Sequence, residues 1–189
     1  MNLTLTPIRF KTRAVSVYGN KIGIIDGDVR LTYREFAERA DRLSNALTHL
    51  GVARGERVAW LGYNSHELLE AYYGVVQMGA VLLPLNIRLT PQEIAFILND
   101  SESVALFYNS DFLPLVEAIR SQTPTLKHFI PLEAGAGEGT DYESLIQAAG
   151  ADFTPPTDIK DDDLAELFYT SGTTANPKGV VFGTQRQSF

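Results

Sequence analysis

The sequence predicts an α/β fold, a layered and mostly parallel sheet flanked by helices. Three observations carry that expectation. Short apolar, β-branched runs alternate with longer segments of helical period through most of the chain, the order that builds a helix-covered sheet. The run Ala80–Leu85 is apolar throughout, as a strand buried on both faces must be. Two Thr-x-x-Glu strings, Thr32–Glu35 and Thr90–Glu93, mark helix starts, because each hydroxyl and carboxylate can satisfy amides that a first helical turn leaves free.

Taken in order, Ile22–Ile25 and Val29–Leu31 flank Asp26-Gly27 and read as a hairpin. The helix beginning after Thr32 carries Phe36, Ala40, Leu43 and Leu47 at spacings of three and four, which places them on one face. Gly51 stands where helices commonly stop. Arg57–Leu61 is a strand, and Asn64 or Ser65 caps a helix to about Met78, with Tyr72, Tyr73, Val76 and Met78 on its buried face. After the strand Ala80–Leu85, Pro91 at the first helical position supports a helix ending near Asp100. Val104–Tyr108 is a strand, Ser110 caps a helix to about Ser121, and His128–Ile130 is a further strand. The glycine-rich stretch Pro131–Thr140 is expected to be a mobile loop, Tyr142–Ala149 a short helix and Asp152–Asp163 a surface crossing. Leu164–Tyr169 and Val180–Phe182 are strands on either side of a polar loop.

Composition narrows the function classes. The chain has 189 residues, 16 basic and 23 acidic, for a formal charge of −7. That balance argues against a nucleic-acid surface, which is usually basic. There is no cysteine, which excludes disulfide and thiolate chemistry. His49, His66 and His128 lie far apart with no ligand spacing, so no metal site is expected. Asp161–Asp163 reads as a solvated acidic turn. The N-terminus lacks the apolar core of a signal peptide and no apolar run is long enough to span a bilayer, so a cytoplasmic protein without a transmembrane segment is expected. Trp60 and Tyr63 sit at a strand end where a substrate could come near, although core packing is the favoured expectation. Asn86 and Arg88 follow a buried strand and are candidates to line a cleft.

The most informative segment is Tyr169–Gly179, Tyr-Thr-Ser-Gly-Thr-Thr-Ala-Asn-Pro-Lys-Gly. Thr170, Ser171, Thr173 and Thr174 bring hydroxyl donors suited to phosphate oxygens. Gly172 leaves room for backbone to approach an anion, amides in such a turn form an anion nest, and Lys178 adds a point charge. These residues are the candidate phosphate-binding set. A plain surface turn would need the hydroxyls but not the lysine. A Walker loop requires Gly-Lys-Ser/Thr followed by a helix, whereas Lys178 is followed by Gly179 and the β-branched pair Val180-Val181.

These residues resemble the AMP-forming acyl-CoA synthetases, adenylation domains and luciferases, whose loop is similar to Tyr-Thr-Ser-Gly-Thr-Thr-Gly-x-Pro-Lys-Gly-Val. Upstream, Leu31–Phe36, Gly51-Val52 through Gly55–Ala59, and Gly79–Asn86 resemble the same family, and Asn86–Thr90 resembles its fatty-acid–CoA ligases in particular. The resemblance implies the first subdomain of the large domain of an adenylate-forming enzyme. It implies a two-step reaction in which a small-molecule carboxylic acid and ATP give an acyl-adenylate and a thiol then takes the acyl group, with Mg²⁺ and coenzyme A required. The candidate loop would hold the β- and γ-phosphates. Two departures stand out. Ala175 replaces a family glycine, at a strain of roughly 1 kcal/mol if that position needs positive φ. Thr184 stands where a histidine is usual.

The expected division is an N-terminal extension (1–21), an α/β subdomain (22–150), a surface crossing (151–163), a strand–phosphate loop–strand unit (164–182) and a tail (183–189), together an incomplete large domain. Family members are much longer. The missing C-terminal part of the enzyme is therefore an implied partner, no catalytic residue is assignable, and the chain alone is expected not to turn over. A homodimer is left open. The alternative is a stand-alone, non-catalytic half-domain that binds nucleotide or a partner.

Overall fold

The computed structural model describes residues 7–159, 163–170 and 178–183. It opens with α1 (Pro7–Tyr18), the hairpin β1 (Ile22–Asp26) and β2 (Val29–Thr32), and α2 (Tyr33–His49). Then come β3 (Arg57–Leu61), α3 (His66–Gln77), β4 (Val81–Pro84), α4 (Pro91–Asp100) and β5 (Ser103–Tyr108). The remaining elements are α5 (Leu113–Ile119), β6 (His128–Pro131), α6 (Tyr142–Ala148), β7 (Leu164–Thr170) and β8 (Lys178–Gly183).

The local signals act as their chemistry requires. Thr32 and Thr90 each accept from the backbone of the glutamate three residues on, and both glutamates return a bond to the cap backbone. Gly51 ends α2 with φ at 80°, a conformation only glycine adopts without cost. Ser65 caps α3. Phe36, Ala40, Leu43 and Leu47 are all buried.

A six-stranded sheet has the order β6-β5-β3-β4-β7-β8, and the hairpin β1-β2 forms its own two-stranded sheet. The pairs β3·β4, β3·β5, β5·β6 and β4·β7 are parallel, and only β7·β8 is antiparallel. From β3 the chain steps one way to β4, then crosses back past β3 to β5. Crossovers of one hand in opposite directions put their helices on opposite faces. Two cores follow. Leu43, Leu47, Val75 and Tyr142, from α2, α3 and α6, pack on one face. Ile94, Ile97, Leu98, Val116 and Ile119, from α4 and α5, pack on the other. β3, β4 and β5 are almost wholly buried between them.

Three local expectations change. The stretch 1–21 contains α1, a helix that lacks an acidic first turn or a basic last turn and is visible in sequence only as the stripe Phe10, Ala14, Val17, Tyr18. Ser110 does not cap a helix through its side chain: it opens a 3-10 turn (Ser110–Phe112) before α5. Its backbone N–H donates instead to the Glu133 carboxylate at 2.7 Å, and Asn109 donates to the same carboxylate. A distant acid thus does the work that the sequence assigns to a local hydroxyl, and it pins the start of the glycine-rich loop. The predicted helix to Ser121 is also shorter, because Arg120–Gln122 tightens into a second 3-10 turn.

Candidate functional site

β3 leads to α3 on one face and its neighbour β4 leads to α4 on the other. The carboxyl ends of two such strands diverge and leave a crevice, the usual ligand position in open α/β sheets. A crevice of about 300 Å³ lies there. Gly62 and Asn64 follow β3, Leu85 and Asn86 follow β4, and Phe168 and Tyr169 come from β7. Trp60 forms part of the wall; its ring stacks on Phe107 at 5.1 Å and is buried, yet its indole N–H has no hydrogen-bond partner among the described residues. Sequence reading places Trp60 in the core but gives no hint of this unspent donor. Asn86 lines the crevice as expected. Arg88 does not: it is exposed, and its backbone N–H donates to the Asn86 side chain at 3.0 Å. Tyr63 is exposed and donates to Asp111, so it is not a core residue.

Directly beyond Tyr169 lies the predicted phosphate loop. Thr170 is the last residue of β7 and Lys178 the first of β8, and the two are register partners across the antiparallel pair. Both are exposed. A hydroxyl and an ammonium therefore flank one mouth, a donor set suited to phosphate oxygens. The order strand–loop–strand excludes a Walker arrangement, which needs a helix after the lysine. Ser171, Gly172, Thr173 and Thr174, together with Ala175, lie outside the described residues, as does the tail from Thr184.

Two tethers hold this region to the body. The Tyr169 hydroxyl donates to Asp100 at 2.6 Å; burial, and then this bond, raise the phenol above its usual range. Arg54 reaches from the turn before β3 to Asp158, at 2.6 Å, and to Asp163 in the crossing that precedes β7. Asp163 is therefore part of a clasp, while Asp161 and Asp162 lie outside the described residues.

A third group involves residues far apart in sequence. Asp26, His66 and Glu67 bring ligand-type atoms within 4.8 Å of one another, the candidate metal cluster among the described residues. His66 Nδ1 lies 2.8 Å from Asp26 Oδ2 and 3.2 Å from Glu67, and the His66 backbone N–H also donates to Asp26. This bonding holds Asp26 below the usual carboxylate range. The arrangement ties the β1–β2 turn to the start of α3.

The chain matches the family of AMP-binding enzymes over residues 11–187. It is 43% identical over 177 residues to a long-chain-fatty-acid–CoA ligase of Thermus thermophilus, covering 92% of this chain and 32% of the relative. It is 41% identical to a 3-methylmercaptopropionyl-CoA ligase of Ruegeria pomeroyi, over 77% of this chain and 28% of that one. The fold is similar to that of an anthranilate CoA ligase solved with anthranoyl-AMP, with a TM-score of 0.91 at 31% identity over 97% of this chain and 36% of that structure. It is also similar to the N-terminal domain of FACL13 from Mycobacterium tuberculosis, with a TM-score of 0.84 at 33% identity over 95% and 45% of the two chains. The chain thus spans about a third of the length of the curated relatives it matches.

Proposed function

The chain belongs to the AMP-binding enzyme family, and from that premise we propose that it supplies the phosphate-holding part of an ATP-dependent acid–CoA ligase, which forms an acyl-adenylate and then an acyl-CoA. The observation that carries this reading is the pairing of Thr170 with Lys178 at the mouth of the β7–β8 hairpin, beside a crevice at the carboxyl ends of β3 and β4.

The residues at that mouth fit a polyphosphate. Lys178 is exposed and forms, with Thr170, the last register pair before the loop, so its ammonium can follow phosphate oxygens without leaving a buried charge unpaired. Thr170 contributes a hydroxyl on the same side of the hairpin opening. We assign Ser171, Thr173 and Thr174 the same donor role, with Gly172 giving the backbone room to approach. Together these groups neutralise charge that accumulates as pyrophosphate departs, an electrostatic contribution. Bound Mg²⁺ supplies further positive charge on the same oxygens. The rigid β7, held through Tyr169 and Asp100, fixes where the loop starts.

We place the acid, the thiol and the acid–base groups in the remaining two thirds of the relatives' length, which this chain does not cover. The reading therefore assigns this chain binding and not turnover. Calorimetric titration with Mg-ATP tests it. Lys178→Ala is expected to weaken binding by about tenfold, the value of one charge-assisted contact. An unchanged affinity sinks the loop assignment. Carboxylate-dependent ATP–pyrophosphate exchange by the 189-residue chain would disprove the division of labour.

A further inference from the structure

A second cavity, of about 360 Å³, lies against a different, adjoining face of α3 and shares no residue with the crevice. Tyr73 of α3 lines this one while its neighbour Tyr72 lines the other. Its walls are aromatic: Phe10 and Tyr18 from α1, Tyr33 and Phe36 from α2, and Tyr73. α1 forms one side, so the helix that sequence reading leaves unassigned is what creates the cavity.

Three features define what it can hold. The volume is at the small end of the roughly 300–1,000 Å³ typical of ligand pockets, which suits one or two rings and not a long chain. The charge is one-sided. No acidic residue lines the cavity, and the sequence from Met1 to Ile25 contains Arg9, Lys11, Arg13 and Lys21 but no acid, in a chain whose net charge is −7. Lys11 is already engaged, by Asp41 and by Gln77 at 2.6 Å. Arg13 is different. It lines the cavity, is exposed as a residue, and has no side-chain partner among the described residues. Tyr33 and Tyr73 add phenol hydroxyls that make no hydrogen bond among the described residues. Flat aromatic walls, a free planar cation and two uncommitted hydroxyls suit a flat apolar body that ends in a carboxylate, which guanidinium binds with two parallel bonds.

We propose that the aromatic cavity between α1, α2 and α3 is a binding site for a small aromatic carboxylate, anchored by Arg13 and separate from the phosphate loop. Ring faces stack on Tyr33, Phe36 and Tyr73, and the carboxylate lies at the Arg13 rim.

The test uses 2-naphthoate and its neutral counterpart 2-naphthamide, titrated calorimetrically into the full 189-residue chain. Naphthoate is expected to bind with a dissociation constant below about 1 mM and naphthamide at least about tenfold more weakly. Arg13→Gln, at an exposed position, is expected to weaken naphthoate by about tenfold and leave naphthamide unchanged. Ala14→Trp, which fills the cavity from α1, is expected to abolish binding of both while far-UV circular dichroism stays native. Lys178→Ala is expected to leave naphthoate binding intact, which separates this site from the phosphate loop. Absence of naphthoate binding overturns the proposal, as does equal binding of naphthoate by wild type and Arg13→Gln. So does concentration-dependent dimerisation that buries this face and blocks the probe.

Discussion

The Tyr169 hydroxyl donates to the Asp100 carboxylate at 2.6 Å, joining the strand that enters the proposed phosphate loop to the last residue of α4. Tyr169→Phe removes only this bond. The expected loss is about 1 kcal/mol, typical of one hydrogen bond in a partly exposed place, together with faster amide exchange at Phe168–Thr170. The pH dependence has a definite sign. The folded phenol titrates above its usual value of about 10, so its stabilisation is complete below pH 10 and fades as pH rises beyond that. Urea unfolding of both proteins should show a constant gap up to about pH 10 that narrows above it. A gap of zero at pH 7 would show that the bond does not form.

Glu70 is fully buried; Arg39 pairs with it at 2.6 Å and Tyr142 donates to it at 2.6 Å, while Arg39 also binds Glu143. The group locks α6 onto α2 and α3. Burial raises the Glu70 carboxyl even though Arg39 pulls it down. A raised folded value means that its favourable contribution is present at low pH and lost as pH rises through that value. Arg39→Met strands a buried carboxylate and is expected to cost about 3–5 kcal/mol at pH 7, and less as pH falls, because protonation removes the stranded charge. The double variant Arg39→Met/Glu70→Leu should recover most of that loss, because a hydrophobic pair of similar size often matches a buried ion pair. Recovery of less than about half would mean the charges do more than compensate each other.

Gly74 of α3 packs tightly against Ala40 and Leu43 of α2. A Cβ there would stand 2.8 Å from the Ala40 carbonyl oxygen and 3.1 Å from the Leu43 Cβ. Helix propensity alone predicts that Gly74→Ala gains about 1 kcal/mol. Overpacking a tight helix crossing costs about 1–3 kcal/mol, and the obstacle here includes backbone, which cannot step aside. We therefore expect net destabilisation in equilibrium unfolding. A stabilised Gly74→Ala would mean that the two helices can separate cheaply.

Much of this molecule is legible locally. Thr32 with Glu35 and Thr90 with Glu93 announce helix starts because a capping box acts over three residues. Gly51 announces a stop because the requirement for positive φ is a property of one residue. Ala80–Leu85 announces a central strand because it carries nothing polar. Where the reading failed, the competing partner was remote. Ser110 looked like a cap, but Glu133 supplies the acceptor. α1 is not legible locally, because it carries neither an N-terminal acid nor a C-terminal base, and its apolar stripe acquires meaning only against α2 and α3.

The alternation of strands and helices, most of their limits and the family to which Tyr169–Gly179 points can be read from the chain in one dimension. Those properties rest on interactions a few residues long or on a contiguous string. The strand order β6-β5-β3-β4-β7-β8, the crevice where β3 and β4 part, the Tyr169–Asp100 tether and the aromatic cavity beside Arg13 emerge in three dimensions alone. Each of these joins side chains from separate elements, and their contact depends on how the crossovers turn and how the helices pack, which no local pattern of residues encodes.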